Sequence, residues 1–252
     1  YAPFRKAALA RLAVSAPQVL PPPQRLPPPA ANVDSEPLPS WGFLPRHPDW
    51  AREFPQLWKP GEEHARLQLD RTLETVLQGY SFTRDRMGQD GTSRLSPHLH
   101  WGEVSPGQVA AAATACQHGQ GGEGAEKLLN ELLWGEFNRH LLWNFPSLPD
   151  EPMKPLFAHF PWRHDPVALR RWQKGQTGYP VVDAGLRQLW RQGWMHNRAR
   201  LITASFLVKH LQLDWREGQA WFWDTLVDAS LANNAANWQW VAGSGVDASP
   251  FF

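Results

Sequence analysis

Residues 125–145 read Ala-Glu-Lys-Leu-Leu-Asn-Glu-Leu-Leu-Trp-Gly-Glu-Phe-Asn-Arg-His-Leu-Leu-Trp-Asn-Phe. Leu128, Leu132, Leu133, Phe137 and Leu141 recur at the spacing of one helix face, so this stretch predicts a long helix. The same signal extends outward in both directions. Leu67, Leu69, Leu73, Val76 and Leu77 support a helix over 62–79. Ser105-Pro106-Gly107-Gln108 has the form of a capping box with Pro at the first helical position. Asp165-Pro166 opens a further helix, and Tyr179-Pro180 leads into one carrying Val182, Leu186 and Leu189. Gly193 breaks the chain before a helix over 195–212. Asp214-Trp215-Arg216-Glu217 opens a last amphipathic helix ending near Leu226. No alternating apolar runs are joined by hairpin turns, so the expected class is all-α.

Composition narrows the function. The 252 residues are 42% apolar, which suffices for a core, and carry a net charge of +1. A nucleic-acid site would therefore be a local patch and not a global field. One cysteine, Cys116, excludes a disulfide framework and fits a reducing compartment. No long apolar run or signal-peptide pattern is visible, so a cytoplasmic protein without membrane contact is expected. Thirteen of the 24 prolines fall in 17–60, the mark of a stiff connector, with Trp41, Trp50, Phe54 and Trp58 in its later half. The expected organisation is a helix and linker over 1–60, then a helical domain over 61–252. Fifteen tryptophans against three tyrosines exceed what packing usually needs, and eleven of them lie between Trp134 and Trp240.

Four constellations carry candidate chemistry. Asp228-Ala-Ser-Leu-Ala-Asn-Asn-Ala-Ala-Asn-Trp-Gln-Trp240 concentrates amides and indoles. It suits a flat, heteroatom-rich ligand, or a helix-connecting turn with its Trp in the core. Gly91-Thr92-Ser93-Arg94-Leu95-Ser96 offers hydroxyls, backbone N–H groups and a guanidinium to a phosphate, or is a polar turn. Between Leu186 and Leu213 stand five Arg or Lys and no acid. With Trp162, Trp172, Trp190 and Trp194 nearby, this is a phosphate-tracking surface with stacking platforms, or a solvated helix face over core indoles. Glu131 and Trp134 share a helix face, which places an acid beside an indole for reading one base, or a Trp in the core. His98-x-His100 lacks nearby partner ligands, so no metal site is expected.

Together these blocks resemble the flavin-binding catalytic domain of the DNA photolyase and cryptochrome family over about Tyr80–Phe252, most closely the bacterial class I cyclobutane dimer photolyases. The resemblance implies FAD as cofactor. It assigns Tyr80, Thr92, Ser93, Arg94, Leu95, Ser96, Arg200, Asp228, Ser230 and Asn234 to the flavin. It assigns Arg84, Glu131, Trp134, Asn138, Asn197, Arg198 and Trp240 to DNA and the dimer. Trp162, Trp215 and Trp238 match a three-Trp relay that photoreduces the flavin, and Asn234 falls opposite the reactive flavin nitrogen. With Glu131 these form the implied catalytic set. The implied activity is light-driven repair of pyrimidine dimers in DNA by a monomer, through electron donation from reduced FAD to a flipped-out dimer. A blue-light receptor and a helical DNA-binding scaffold are the alternatives. An antenna chromophore, folate or deazaflavin, would belong to a preceding domain that this sequence lacks. Gly135 stands where relatives have Arg, Leu201 where they have Met, and Ser230 where they have a second Asp.

Overall fold

The structure, a computed structural model, describes all residues except 16–18, 22, 29–33, 118, 120 and 249–252. Parts of the Pro-rich connector, and residues 118 and 120 before α7, lie outside the described residues. Among the described residues the secondary structure is helical, with one isolated bridge, Arg163–Leu213, and no strand. The helices are α1 (Ala2–Val14), α2 (Phe54–Leu57), α3 (Glu62–Arg71), α4 (Tyr80–Thr83), α5 (Ser96–His100) and α6 (Pro106–Ala115). They continue as α7 (Gly122–Asn144), α8 (Pro166–Gln173), α9 (Pro180–Gln192), α10 (Asn197–Ser205), α11 (Trp215–Thr225) and α12 (Leu231–Ala242). No helix among the described residues is long and apolar enough to cross a membrane.

Side-chain caps open α6, α8, α10, α11 and α12. Ser105 and Gln108 form the reciprocal capping box of α6. Asp165 accepts from two backbone N–H groups of α8, and Asp214 caps α11. The predicted helix over 62–79 is not uniform. It passes from α3 through a π-helical turn at Thr72–Val76 and a 3-10 turn at Leu77–Gly79. Buried Thr72 donates its hydroxyl to Gln68 O at 2.7 Å, a side-chain bond that competes with the helical ladder. The helix expected over 195–212 starts at Asn197, because His196 Nδ1 accepts the N–H of Arg198. It also ends in a π-helical turn, Phe206–His210. The 228–240 stretch becomes helix after Ser230, which caps α12 through its side chain, and Gly243 in the left-handed region ends it. The turn alternative therefore covers only its first residues.

Two main clusters of buried side chains build the body. One gathers Leu77, Tyr80, Leu95, Val109, Leu128 and Leu129 from α3–α7. The other gathers Trp172, Leu186, Leu189, Leu207, Trp215, Phe222 and Trp238 from α8–α12. A smaller cluster of Phe137, Leu141, Leu148 and Ala235 joins the far half of α7 to α12. Close approach at the near end of α7 needs glycine, since a Cβ on Gly124 would stand 1.9 Å from Leu77 O. The long helix thus spans the first and third clusters and holds Glu131 and Trp134 between them. The connector lies on the body where its aromatics predict: Trp58 Nε1 donates to Gln192 O at 2.6 Å, and Trp50 stacks on Trp190.

Candidate functional site

Glu131 is the centre of the polar groups that α4, α7 and α10 bring together. Tyr80 donates its hydroxyl to Glu131 Oε2 at 2.6 Å, and Arg84 Nη2 approaches Oε1 at 2.5 Å. Asp85 lies next in line, held by Arg198 through two hydrogen bonds of 2.9 Å. Burial pushes the Glu131 carboxyl above its ordinary value, although Arg84 and Tyr80 pull the other way. Arg198 holds Asp85 below the usual carboxylate range. Burial raises the Tyr80 phenol well above its ordinary value, and the neighbouring Glu131 adds to this. The site therefore holds a phenol that keeps its proton and an acid that takes up a proton more readily than a free glutamate.

The 91–96 run borders this group. Ser93 interacts with the Tyr80 hydroxyl and receives the Leu95 N–H on its Oγ at 3.4 Å. Arg94 takes a positive φ of 51°, bonds Asp90 and lies over the Trp194 ring at 5.0 Å. Thr92 is half-buried and Ser96 exposed at the start of α5. Leu95 is 1% exposed: its side chain belongs to the first core cluster, and its N–H bonds Ser93.

Several expected DNA contacts are engaged elsewhere. Arg84 is mostly buried and paired with Glu131 and Asp85. Arg198 is paired with Asp85 but partly exposed, and Asn197 is exposed beside it. Asn138 is buried and donates to Asn233 Oδ1 at 2.9 Å, tying α7 to α12. Of the four proposed stacking platforms, Trp172 and Trp194 lie in the core. Trp134 keeps 37% exposure, with the Tyr1 ring stacked on it at 3.5 Å and 9°. Trp240 is half-buried.

A second group forms where α10, α11 and α12 meet. Arg200 Nη2 donates to Asp228 Oδ2 at 2.8 Å, while its Nε donates to Met195 O. Asp228 Oδ1 is buried without a hydrogen-bond partner among the described residues. Asn234 Nδ2 donates to Gln219 O at 2.9 Å, which anchors the amide by its nitrogen. Ser230 spends its hydroxyl on the N-terminus of α12. Trp215 and Trp238 are buried, and half-buried Trp162 packs against the same cluster. The backbone of Arg163 bonds Gln212, which brings the Trp162 loop to the segment that starts α11. Trp172 also meets Trp238, edge-on at 6.2 Å.

Sequence reading missed Asp85, His196 and Gln219, and singled out Asn233 only as one amide of the 228–240 stretch. Each orients a residue that it had named, and none carries a local signal beyond adjacency. His196 caps α10, and burial lowers its imidazole below the ordinary value.

Comparison with known proteins agrees with this arrangement. Residues 128–252 match the family model for the FAD binding domain of DNA photolyase. The chain is 50% identical over 218 residues to a deoxyribodipyrimidine photo-lyase of Agrobacterium fabrum, covering 86% of this chain and 46% of the relative. It resembles the crystal structure of a class III photolyase from Agrobacterium tumefaciens at 47% identity and a TM-score of 0.94, over 100% of this chain and 52% of that one. A cryptochrome from Synechocystis is similar at 36% identity and a TM-score of 0.72, over 77% and 41%. The chain spans about half the length of the curated relatives it matches. The likeness holds at the level of family and not of class, since the sequence resemblance pointed to class I and this crystal structure carries the class III name. The chain belongs to the DNA photolyase family and carries its helical FAD-binding domain.

Proposed function

We propose that this chain binds FAD and serves light-driven repair of cyclobutane pyrimidine dimers in DNA. One observation carries the reading: Tyr80 joins the hydroxyl run at 92–93 to Glu131 through a 2.6 Å hydrogen bond, so cradle and acid are one site. The residues fit a flavin nucleotide. Buried Asp228 Oδ1 asks for a donor, which a heterocyclic N–H supplies, since a buried acceptor left alone costs roughly 1–3 kcal/mol. Arg200 fixes that carboxylate, and Tyr80, Thr92, Ser93, Arg94 and Ser96 take the pyrophosphate. Asn234, held by its nitrogen, is free to turn its oxygen to the flavin edge.

When bound, reduced and excited by light, FAD supplies the electron that opens the cyclobutane ring. The chain supplies placement. A dimer is extruded from the duplex at a cost of a few kcal/mol, less where pairing is already poor. Trp134 and Trp240 then stack on it, at roughly 1–3 kcal/mol per base. Glu131 in its neutral form donates to a pyrimidine carbonyl, where negative charge develops. Asn197 and Arg198 lie on the DNA side of that acid. Trp162, Trp215 and Trp238 carry electrons inward from the surface.

The test is loss of dimers from an oligonucleotide under blue light, with the chain loaded with FAD and chemically reduced. Loss in the light and none in the dark is expected. The likeness to a cryptochrome favours a second reading, a flavin light receptor. Flavin photoreduction without dimer loss would select it.

A further inference from the structure

The Tyr80 hydroxyl stands between Glu131 and the 92–96 run. Its ring is 2% exposed on α4 and cannot swing away. On one side it donates to Glu131 Oε2 at 2.6 Å. On the other it interacts with Ser93, inside the run whose hydroxyls and guanidinium suit a phosphate. A phenol has one O–H to give. We propose that Tyr80 is a shared donor for which the Glu131 carboxylate and an anion held at 92–94 compete, so that filling the cradle delivers a proton from solvent to Glu131.

The groups around Glu131 set the direction. Tyr80 and Arg84 face it from α4 and the residue after it; both stabilise its charged form. Asp85 opposes the charged form, and Arg198, from α10, interacts with Glu131 while bonding Asp85. When the phenol turns to an anion, Glu131 loses a donor and gains a negative neighbour. Both changes favour its protonated form, against the charges of Arg84 and Arg198. The balance is simple: one proton leaves the solvent and one O–H bond forms on the carboxyl. The acid that reads the dimer is thereby made neutral by cofactor binding and is not neutral in advance.

This inference rests on the proposed FAD site, and its test separates the two. FAD is titrated calorimetrically into the 252-residue chain at about pH 6, in two buffers of different ionisation enthalpy, which yields the protons exchanged on binding. Riboflavin, which has the ring without the phosphates, is titrated in the same way. Uptake of a fraction of a proton is expected with FAD and none with riboflavin. Tyr80→Phe should reduce the uptake, because Glu131 then lacks that donor in both states and only the charge of the bound anion still acts on it. Glu131→Gln should abolish it while retaining FAD binding, which decides the matter even where Tyr80→Phe fails to fold. Equal uptake with riboflavin, undiminished uptake in Tyr80→Phe, or uptake that survives in Glu131→Gln overturns the shared donor. FAD binding without uptake overturns it and leaves the flavin site standing. Absence of FAD binding overturns both.

Discussion

The indole of Trp238 lies against the backbone of Gly218: a Cβ on Gly218 would stand 2.1 Å from Trp238 Cη2 and 2.6 Å from Leu207 Cδ2. Gly218 sits one turn after Trp215 on α11, so the close contact of α11 with α12 brings the helical segments of both buried indoles together.

Gly218→Ala tests that contact. In an open helix the change would stabilise by about 1 kcal/mol. Here the added methyl displaces Trp238 or parts the helices, and overpacking of this kind costs about 1–3 kcal/mol. We expect a lower urea midpoint and slower photoreduction of bound flavin. A raised midpoint would mean that the two helices pack more loosely than described.

Trp162→Phe addresses the outer end of the relay. Trp162 is half-buried and packs on Phe160 at 4.3 Å, so a phenyl ring retains most of the packing. Photoreduction of oxidised flavin should fall at least tenfold, while repair starting from chemically reduced flavin should survive. Parallel loss of both activities would make Trp162 a structural or DNA-contacting residue.

Asp183 gives a stability that depends on pH. Its carboxylate accepts from the Thr177 N–H at 2.7 Å, the Thr177 hydroxyl at 2.6 Å and the Gly178 N–H at 3.0 Å, closing the loop before α9. Although burial raises its pKa, these bonds prevail and hold it below the usual carboxylate range. A depressed folded value means stability that is present above the unfolded pKa, near 4. It is lost as pH falls through the folded value. Asp183→Asn should cost about 1–3 kcal/mol at neutral pH, from lost charge-assisted bonds. Denaturation curves at neutral and acidic pH would check this, and the difference between the chains should shrink on acidification.

The helical class was legible because Leu128, Leu132, Phe137 and their kind repeat at helical spacing, and because Ser105, Asp165 and Asp214 announce helix starts. The π-helical turns at 72–76 and 206–210 were not, since they change the hydrogen-bond register without changing composition. His196 as a cap was hidden for a related reason, because imidazole is not among the usual capping side chains. At the site, family resemblance assigned Tyr80 and Ser93 to the flavin and Glu131 to the dimer; no local pattern links residues so far apart in sequence, and their grouping is visible only in the structure. What sequence could not divide was exposure. Arg84 and Asn138 are polar residues at helix positions that read as surface, yet tertiary partners, Glu131 and Asn233, absorb both.

Gly135 remains the residue where sequence and structure pose the sharpest question. It lies inside α7, where glycine costs roughly 1 kcal/mol relative to alanine. The backbone there is ordinary helix, and a Cβ would meet only Arg139 Nη1 at 3.6 Å and Asn233 Oδ1 at 4.0 Å. A side chain therefore fits without strain. Gly135→Arg should stabilise the domain, although Arg139 one turn later repels the new charge and subtracts a few tenths of a kcal/mol. Glu136 already pairs with Arg139 and limits that repulsion. The new guanidinium stands next to exposed Trp134, on the side where damaged DNA is proposed to lie. One added phosphate contact should steepen the dependence of log K on log salt by about 0.9 for duplex DNA. A contact that reads only backbone should strengthen damaged and undamaged DNA alike. Binding of both DNAs across a salt series, for the original chain and the variant, decides the matter. An unchanged salt slope would mean that this face of α7 does not meet the phosphates, and the proposed DNA side of the site would have to move.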